Sequence, residues 1–151
     1  KIILFGNGGS AADSQHIAAE FIVRLKRDRG SLPAIALTTD TSVLTACGND
    51  YGFGEIFKRQ IEGLGEKGDI VIALSTSGNS VNVIKAIKRA KKMGIGVVGF
   101  TGETGGKMKS LCDILIRVRS KDTMRIQETH ITFLHIIVDL VEEKLSKGKN
   151  G

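Results

Sequence analysis

Proline occurs once in this sequence and glycine nineteen times. That balance speaks against a disordered linker and for many tight turns. Aromatic residues make up 5%, too few to stack bases along a nucleic acid, and no RNA- or DNA-binding motif is present. The net charge of +6 sits largely in KAIKRAKKMG and in the tail KLSKGKNG, which read as a solvated helix face and a frayed end. No nucleic-acid partner is expected. No window approaches the roughly 18 apolar residues of a membrane helix, and KIILFGNGG carries no signal-peptide cleavage pattern. No membrane partner is expected, and the expected location is the cytoplasm. Cysteine appears twice, at Cys47 and Cys112, without metal-type spacing, and both read as reduced core thiols.

What remains is the composition of a globular protein. Hydrophobic residues are 41% and charged residues 25% of 151, enough for one domain with one substantial core. There is no initiator Met, and the chain opens on a strand, so it reads as lacking its natural beginning. Short apolar runs at 1–5, 33–37, 69–74, 96–100 and 113–118 read as strands buried on both faces. Between them, helices are expected over 11–26, around 43–47, over 54–64 and over 81–93, with a long last helix over 125–145. This alternation predicts an α/β, doubly wound sandwich around a five-stranded parallel sheet. Ligands in such folds bind beyond the carboxyl ends of the strands. Attention therefore falls on the loops GNGGS (6–10), TTDTS (38–42) and STSGNS (75–80).

STSGNS offers the hydroxyls of Ser75, Thr76, Ser77 and Ser80 at a strand end, with Gly78 to let the backbone bend around a ligand. The following helix start presents free N–H groups and a positive dipole end. An anion such as phosphate fits there. A serine-rich turn with an ordinary N-cap fits too. No GxxxxGK[ST] pattern exists, which argues against a nucleoside triphosphate. GNGGS misses the dinucleotide fingerprint because position 11 is Ala11, and alone it fits a mere tight turn as well as a ligand loop. His16 and Glu20 share a helix face at i,i+4, a spacing suited to two metal ligands, to a base and its partner, or to a surface pair. Gln127 and His135, two turns apart, lie roughly on one face of the last helix. His130 points elsewhere.

Together these stretches resemble a known family. FGNGGSAADSQHIAAE (5–20), CGNDYGF (47–53), STSGNSVNVIKAI (75–87), FTGETGGKM (100–108) and RIQETHITFLH (125–135) stand in the order and spacing of phosphoheptose isomerases, members of the sugar isomerase (SIS) domain superfamily. The resemblance covers nearly the whole chain. It implies a single SIS domain over 1–151, without the N-terminal helical segment that family members usually carry. It implies one zinc per subunit, held by His16, Glu20, Gln127 and His135. It implies substrate contacts from Asn7, Gly8, Gly9, Ser10, Glu20, Asn49, Asp50, Ser75, Thr76, Ser77, Ser80 and Gln127, and a homotetramer with active sites at subunit interfaces. Some members have Asp directly before Arg-Ile-Gln-Glu, where this chain has Met124.

The implied reaction converts sedoheptulose 7-phosphate to D-glycero-D-manno-heptose 7-phosphate through an enediolate, the first step toward ADP-heptose and lipopolysaccharide core. That chemistry needs a base near C1, an acid–base group for the oxygens and a positive centre. Glu20 is the candidate base and His135 its acid–base partner. Two rivals stand beside this reading. One is a non-catalytic SIS module that binds a replication initiator protein, as a related family does. The other is an isomerase of a different sugar phosphate.

Overall fold

The computed structural model describes residues 1–147. The end of the tail expected to fray, residues 148–151, lies outside the described residues. Five strands form one sheet: β1 (Ile2–Phe5), β2 (Ala34–Ala36), β3 (Ile70–Leu74), β4 (Gly96–Thr101) and β5 (Ile114–Arg117). Each sits within a residue or two of its expected apolar run. Their order is β2-β1-β3-β4-β5 and every pairing is parallel. The apolar runs are continuous because alternate residues serve two cores. Ile3, Phe5, Val71, Ala73 and Val97 face one layer, while Leu4, Ile72 and Leu74 face the other.

Right-handed crossovers decide which helix covers which face. From β1 the chain steps to β2 through α1 (Gly9–Ile22). It then reverses direction across the sheet through α2 (Thr41–Asp50), α3 (Ile56–Leu64) and α4 (Val81–Lys92). Stepping the opposite way places these three on the opposite face. The closing helix α5 (Thr123–Lys147) returns to the side of α1, where Ile17, Phe21, Leu134 and Val138 share a core with Phe100. The first and last helices are thereby neighbours. Strand order reverses between β1 and β3, so GNGGS and STSGNS flank the switch point where α/β folds bind ligands.

One boundary differs instructively. The expected helix over 11–26 ends at Ile22. The N–H groups of Leu25, Lys26 and Arg27 donate instead to the Glu142 carboxylate on α5, at 2.8, 3.0 and 3.0 Å. Arg29 takes the carbonyls of Glu20 and Phe21, each at 2.8 Å. The helix end is thus held by Glu142, more than a hundred residues away, and by the nearby Arg29. Cys47 is buried, Cys112 is half-buried and neither is in a disulfide. No helix among the described residues is long and apolar enough to cross a membrane.

Candidate active site

On α1, Asp13, His16 and Glu20 form one i, i+3, i+7 stripe, and the stripe faces α5. His16 Nε2 lies 2.8 Å from His135 Nε2 and 3.5 Å from Glu20 Oε1. The imidazoles meet edge to face, their centroids 5.0 Å apart. One ligand atom from each of His16, Glu20 and His135 falls within 4.8 Å of the others. Two ring nitrogens aimed at each other cannot both carry protons. They share one, or both lone pairs turn to a cation. Two imidazoles and a carboxylate are an ordinary donor set for a divalent transition metal.

Asp13 was not singled out from the sequence, although it lies on the same stripe one turn before His16. Its Oδ2 is buried and has no hydrogen-bond partner. Burial raises the Asp13 carboxyl above its usual range, and the nearby His16 and His135 pull it back down. A half-buried acid with an unpaired oxygen beside two histidines can accept a proton or an N–H from either ring. His130, by contrast, is fully buried. Its Nε2 donates to the Thr101 carbonyl at 3.2 Å, its ring packs edge-on against Phe100, and burial lowers its pKa. It belongs to the core.

The serine loop is tied internally. Ser75 Oγ lies 2.9 Å from Ser80 Oγ and 3.5 Å from Ser77 Oγ, and Ser77 Oγ accepts the Asn79 N–H at 3.1 Å. Ser80 stands at the N-cap of α4 but makes no side-chain cap. The ordinary-cap account of this serine therefore fails, and its hydroxyl stays with the loop. FTGETGGKM closes against the same loop backbone to backbone. Met108 N–H donates to the Gly78 carbonyl at 3.1 Å, and a Cβ on Gly78 would stand 2.2 Å from the Gly105 oxygen. Gly78 also has φ +66°, so only glycine fits both the turn and the contact.

Asn7 of the glycine loop and Asn82 at the start of α4 exchange amide hydrogen bonds of 3.0 and 2.9 Å, and Asn82 is buried. This pair locks the two loops together across the switch point. Gly8 and Gly9 are exposed and Ser10 is buried at the start of α1. A Cβ on Gly9 would meet the Gln127 amide nitrogen at 2.5 Å, so Gln127 lies against the glycine loop, two turns above His135. Asn49 and Asp50, at the end of α2, are exposed and bonded to each other at 2.9 Å. Among the described residues, no side-chain hydrogen bond joins them to the serine loop or the histidines. Met124 is exposed at the start of α5.

A cleft of about 320 Å³ opens at the strand ends, lined by Thr76 and Ser77 of the serine loop, by Glu103, Ser120 and Lys121, and by Ile126 of α5. The His16–Glu20–His135 cluster lies outside that lining. His16 stands seven residues along α1 from Gly9, roughly 10 Å down the helix axis. Gln127 follows Ile126 of the cleft in sequence and lies against Gly9, two turns of α5 from His135.

Three comparisons place this arrangement among known proteins. The SIS domain family model matches residues 1–102. The phosphoheptose isomerase of Aneurinibacillus thermoaerophilus is 59% identical over 149 residues, which is 99% of this chain and 75% of that protein. The structure of phosphoheptose isomerase from Neisseria gonorrhoeae superposes with a TM-score of 0.89 at 47% identity, covering 95% of this chain and 76% of that one. That of a phosphoheptose isomerase from Francisella tularensis superposes at 0.91 with 36% identity and the same coverage.

Proposed function

The chain belongs to the phosphoheptose isomerase family of SIS domain proteins, and we propose that it isomerises sedoheptulose 7-phosphate to D-glycero-D-manno-heptose 7-phosphate, feeding ADP-heptose and lipopolysaccharide core synthesis in the cytoplasm. The observation that carries this reading is the meeting of His16 and Glu20 with His135 from the two ends of the chain. A non-catalytic module needs the serine loop but has no use for that cluster.

The residues divide the work. Ser75, Thr76, Ser77 and Ser80 take the phosphate, with the α4 N-terminus behind them. The hydroxyls of Thr104, Ser120 and Thr123 around the cleft suit a polyhydroxylated chain. Asn7, Gly8, Gly9 and Ser10 of the glycine loop, outside the lining of that cleft, add substrate contacts, and Asn49 and Asp50 contribute polar contacts where subunits meet. Glu20 removes a proton from C1 as the C2 carbonyl becomes an enediolate oxygen, and returns a proton at C2. His135 moves the hydroxyl proton from O1 to O2, so that no net proton is gained or lost. The donor set of His16, Glu20 and His135 fits one zinc ion, which would supply positive charge at the enediolate oxygens, and the Gln127 amide oxygen would be a weaker fourth ligand. A carboxylate that held the cation would be a weaker base, so Glu20 would either use its second oxygen for the proton or shift between the two tasks.

Residues 1–151 act as one SIS domain within a homotetramer. Ile22, Val23, Phe133, Ile136 and Leu140 are exposed on α1 and on the α5 flank adjoining His135, and a second copy covers them. Light scattering that shows a stable, active monomer would contradict this assembly.

The deciding experiment follows the chain by NMR in D₂O with sedoheptulose 7-phosphate beside hexulose and pentulose phosphates. Turnover of the heptulose with deuterium entering at C2, lost on chelation and restored by zinc, is expected. Equal turnover of the shorter sugars would assign a different substrate, and no turnover of any would leave the binding-module reading standing.

A further inference from the structure

Arg29 and Glu142 form a buried ion pair that the catalytic chemistry does not use. Their side chains are 7% and 0% exposed, with Arg29 Nε 3.1 Å from Glu142 Oε1. Every strong donor around this carboxylate comes from the segment after α1: the N–H groups of Leu25, Lys26 and Arg27, and Arg29 itself. Arg29 spends its remaining donors on carbonyls, giving Nη2 to Glu20 and Nη1 to Phe21 and Gly30. The guanidinium is therefore bonded directly to the backbone of Glu20. Glu142 stands seven residues beyond His135, two helical turns along the same side of α5. One ion pair thus connects the backbone that carries Glu20 to the helix that carries His135.

A buried ion pair is a weak source of net stability, because desolvation offsets its attraction. It is a strong source of geometry. The apolar contacts between α1 and α5, Ile17 and Phe21 with Leu134 and Val138, tolerate small sliding. A carboxylate with four fixed donors does not. We propose that the Arg29–Glu142 pair is a positioning device: it sets the register of α1 against α5, and so the separation of His16 and Glu20 from His135. The proposal rests on that cluster being the seat of the isomerase chemistry.

The test compares Glu142→Gln, Arg29→Met and their double variant with Ile61→Ala, a deletion in the core on the opposite face of the sheet. All measurements are made well below each variant's melting midpoint. The two pair variants should shift the ¹⁵N ring resonances of His16 and His135 in metal-free protein. They should weaken zinc binding, read by competition with a chromogenic chelator, about 10-fold or more. They should lower kcat more than they raise KM. The double variant should be no worse than the worse single. Ile61→Ala should lower the melting midpoint and move none of these. Should either pair variant fail to fold, Glu142→Asp and Arg29→Lys keep a buried pair with altered reach, and shift the same readouts less. The proposal is overturned if the pair variants behave like Ile61→Ala. The ring spectra need neither metal nor substrate. A wild-type chain that does not turn over sedoheptulose 7-phosphate would therefore sink the isomerase reading and still leave the helix-register link decided.

Discussion

Gly9→Ala separates the stability of the α1 start from the work of Gln127. A Cβ built on Gly9 stands 2.5 Å from the Gln127 amide nitrogen and 2.8 Å from its carbon and oxygen. Comfortable contact needs about 3.5 Å, so the amide must retreat by roughly 1 Å. It is the far end of a flexible side chain, and Gly9 lies outside the positive-φ glycines, so the backbone can stay where it is. Alanine favours a helix over glycine by roughly 0.5–1 kcal/mol, and an off-rotamer glutamine costs about 0.5–1.5 kcal/mol. These nearly cancel, and the melting midpoint should move by no more than about 4 °C. Function should not cancel. With the proposed Gln127 ligand displaced, kcat/KM and zinc affinity should each fall about 10- to 100-fold. Steady-state kinetics, chelator competition and thermal denaturation read the three quantities. Gly9→Ala combined with Gln127→Ala should be no worse than the worse single, since both act through one amide. A Gly9→Ala variant with unchanged kinetics and unchanged zinc affinity would show that the Gln127 amide is not used where it stands.

Three further outcomes are expected. Ser77→Ala and Ser80→Ala should each raise KM for the sugar phosphate about tenfold, the worth of one hydrogen bond to a charged group, with kcat changing less; an unchanged KM removes the phosphate from this loop. Glu20→Gln and His135→Gln should each lower kcat by at least about 10²-fold, whereas His130→Gln should lower the melting midpoint and keep kcat, so the reverse pattern would refute the assigned roles. Burial pushes the Glu142 carboxyl up, but the N–H groups of Leu25, Lys26 and Arg27 and the charge of Arg29 outweigh it and hold the group down at about 2, below its ordinary 4.5. The stability that this carboxylate contributes is therefore complete above about pH 4.5 and lost as pH falls toward 2. Denaturant titrations should show a flatter stability profile across that window for Glu142→Gln than for the wild type, and parallel profiles would count against the shift.

The central strands were legible because both of their faces are largely buried, and the edge strands β2 and β5, though more exposed, keep short apolar runs. IILF and IVIAL carry no polar residue to blur the signal, so their ends were placed within a residue or two. The end of α1 was not legible, because its partners are not helix-stop residues: Arg29, a few residues on, takes the carbonyls of Glu20 and Phe21. RLK continues a good helical pattern, and only Glu142, more than a hundred residues on, draws those N–H groups away from helical partners. Asn82 was hidden for a similar reason: inside a helix start it is one polar residue among several, and its burial comes from Asn7 across the switch point.

Spacing left the residues of the site open between surface pairs and site donors, the family resemblance singled them out, and topology explains why they meet. His16 with Glu20, and Gln127 with His135, each define a stripe on one helix, which says which way a stripe faces but not what it faces. The meeting follows from the crossovers. A right-handed step from β1 to β2 places α1 on one side of the sheet, and the steps back toward β5 place α2, α3 and α4 on the other. The last helix then has one open face to cover, and that face already carries α1. Any chain with this strand order brings its first and last helices together. What this chain adds is a pair of stripes that present nitrogen and oxygen donors at their contact. Asp13 follows by the same reasoning. A carboxylate one turn before His16 on the stripe that meets α5 is half-buried, and its Oδ2 has no hydrogen-bond partner.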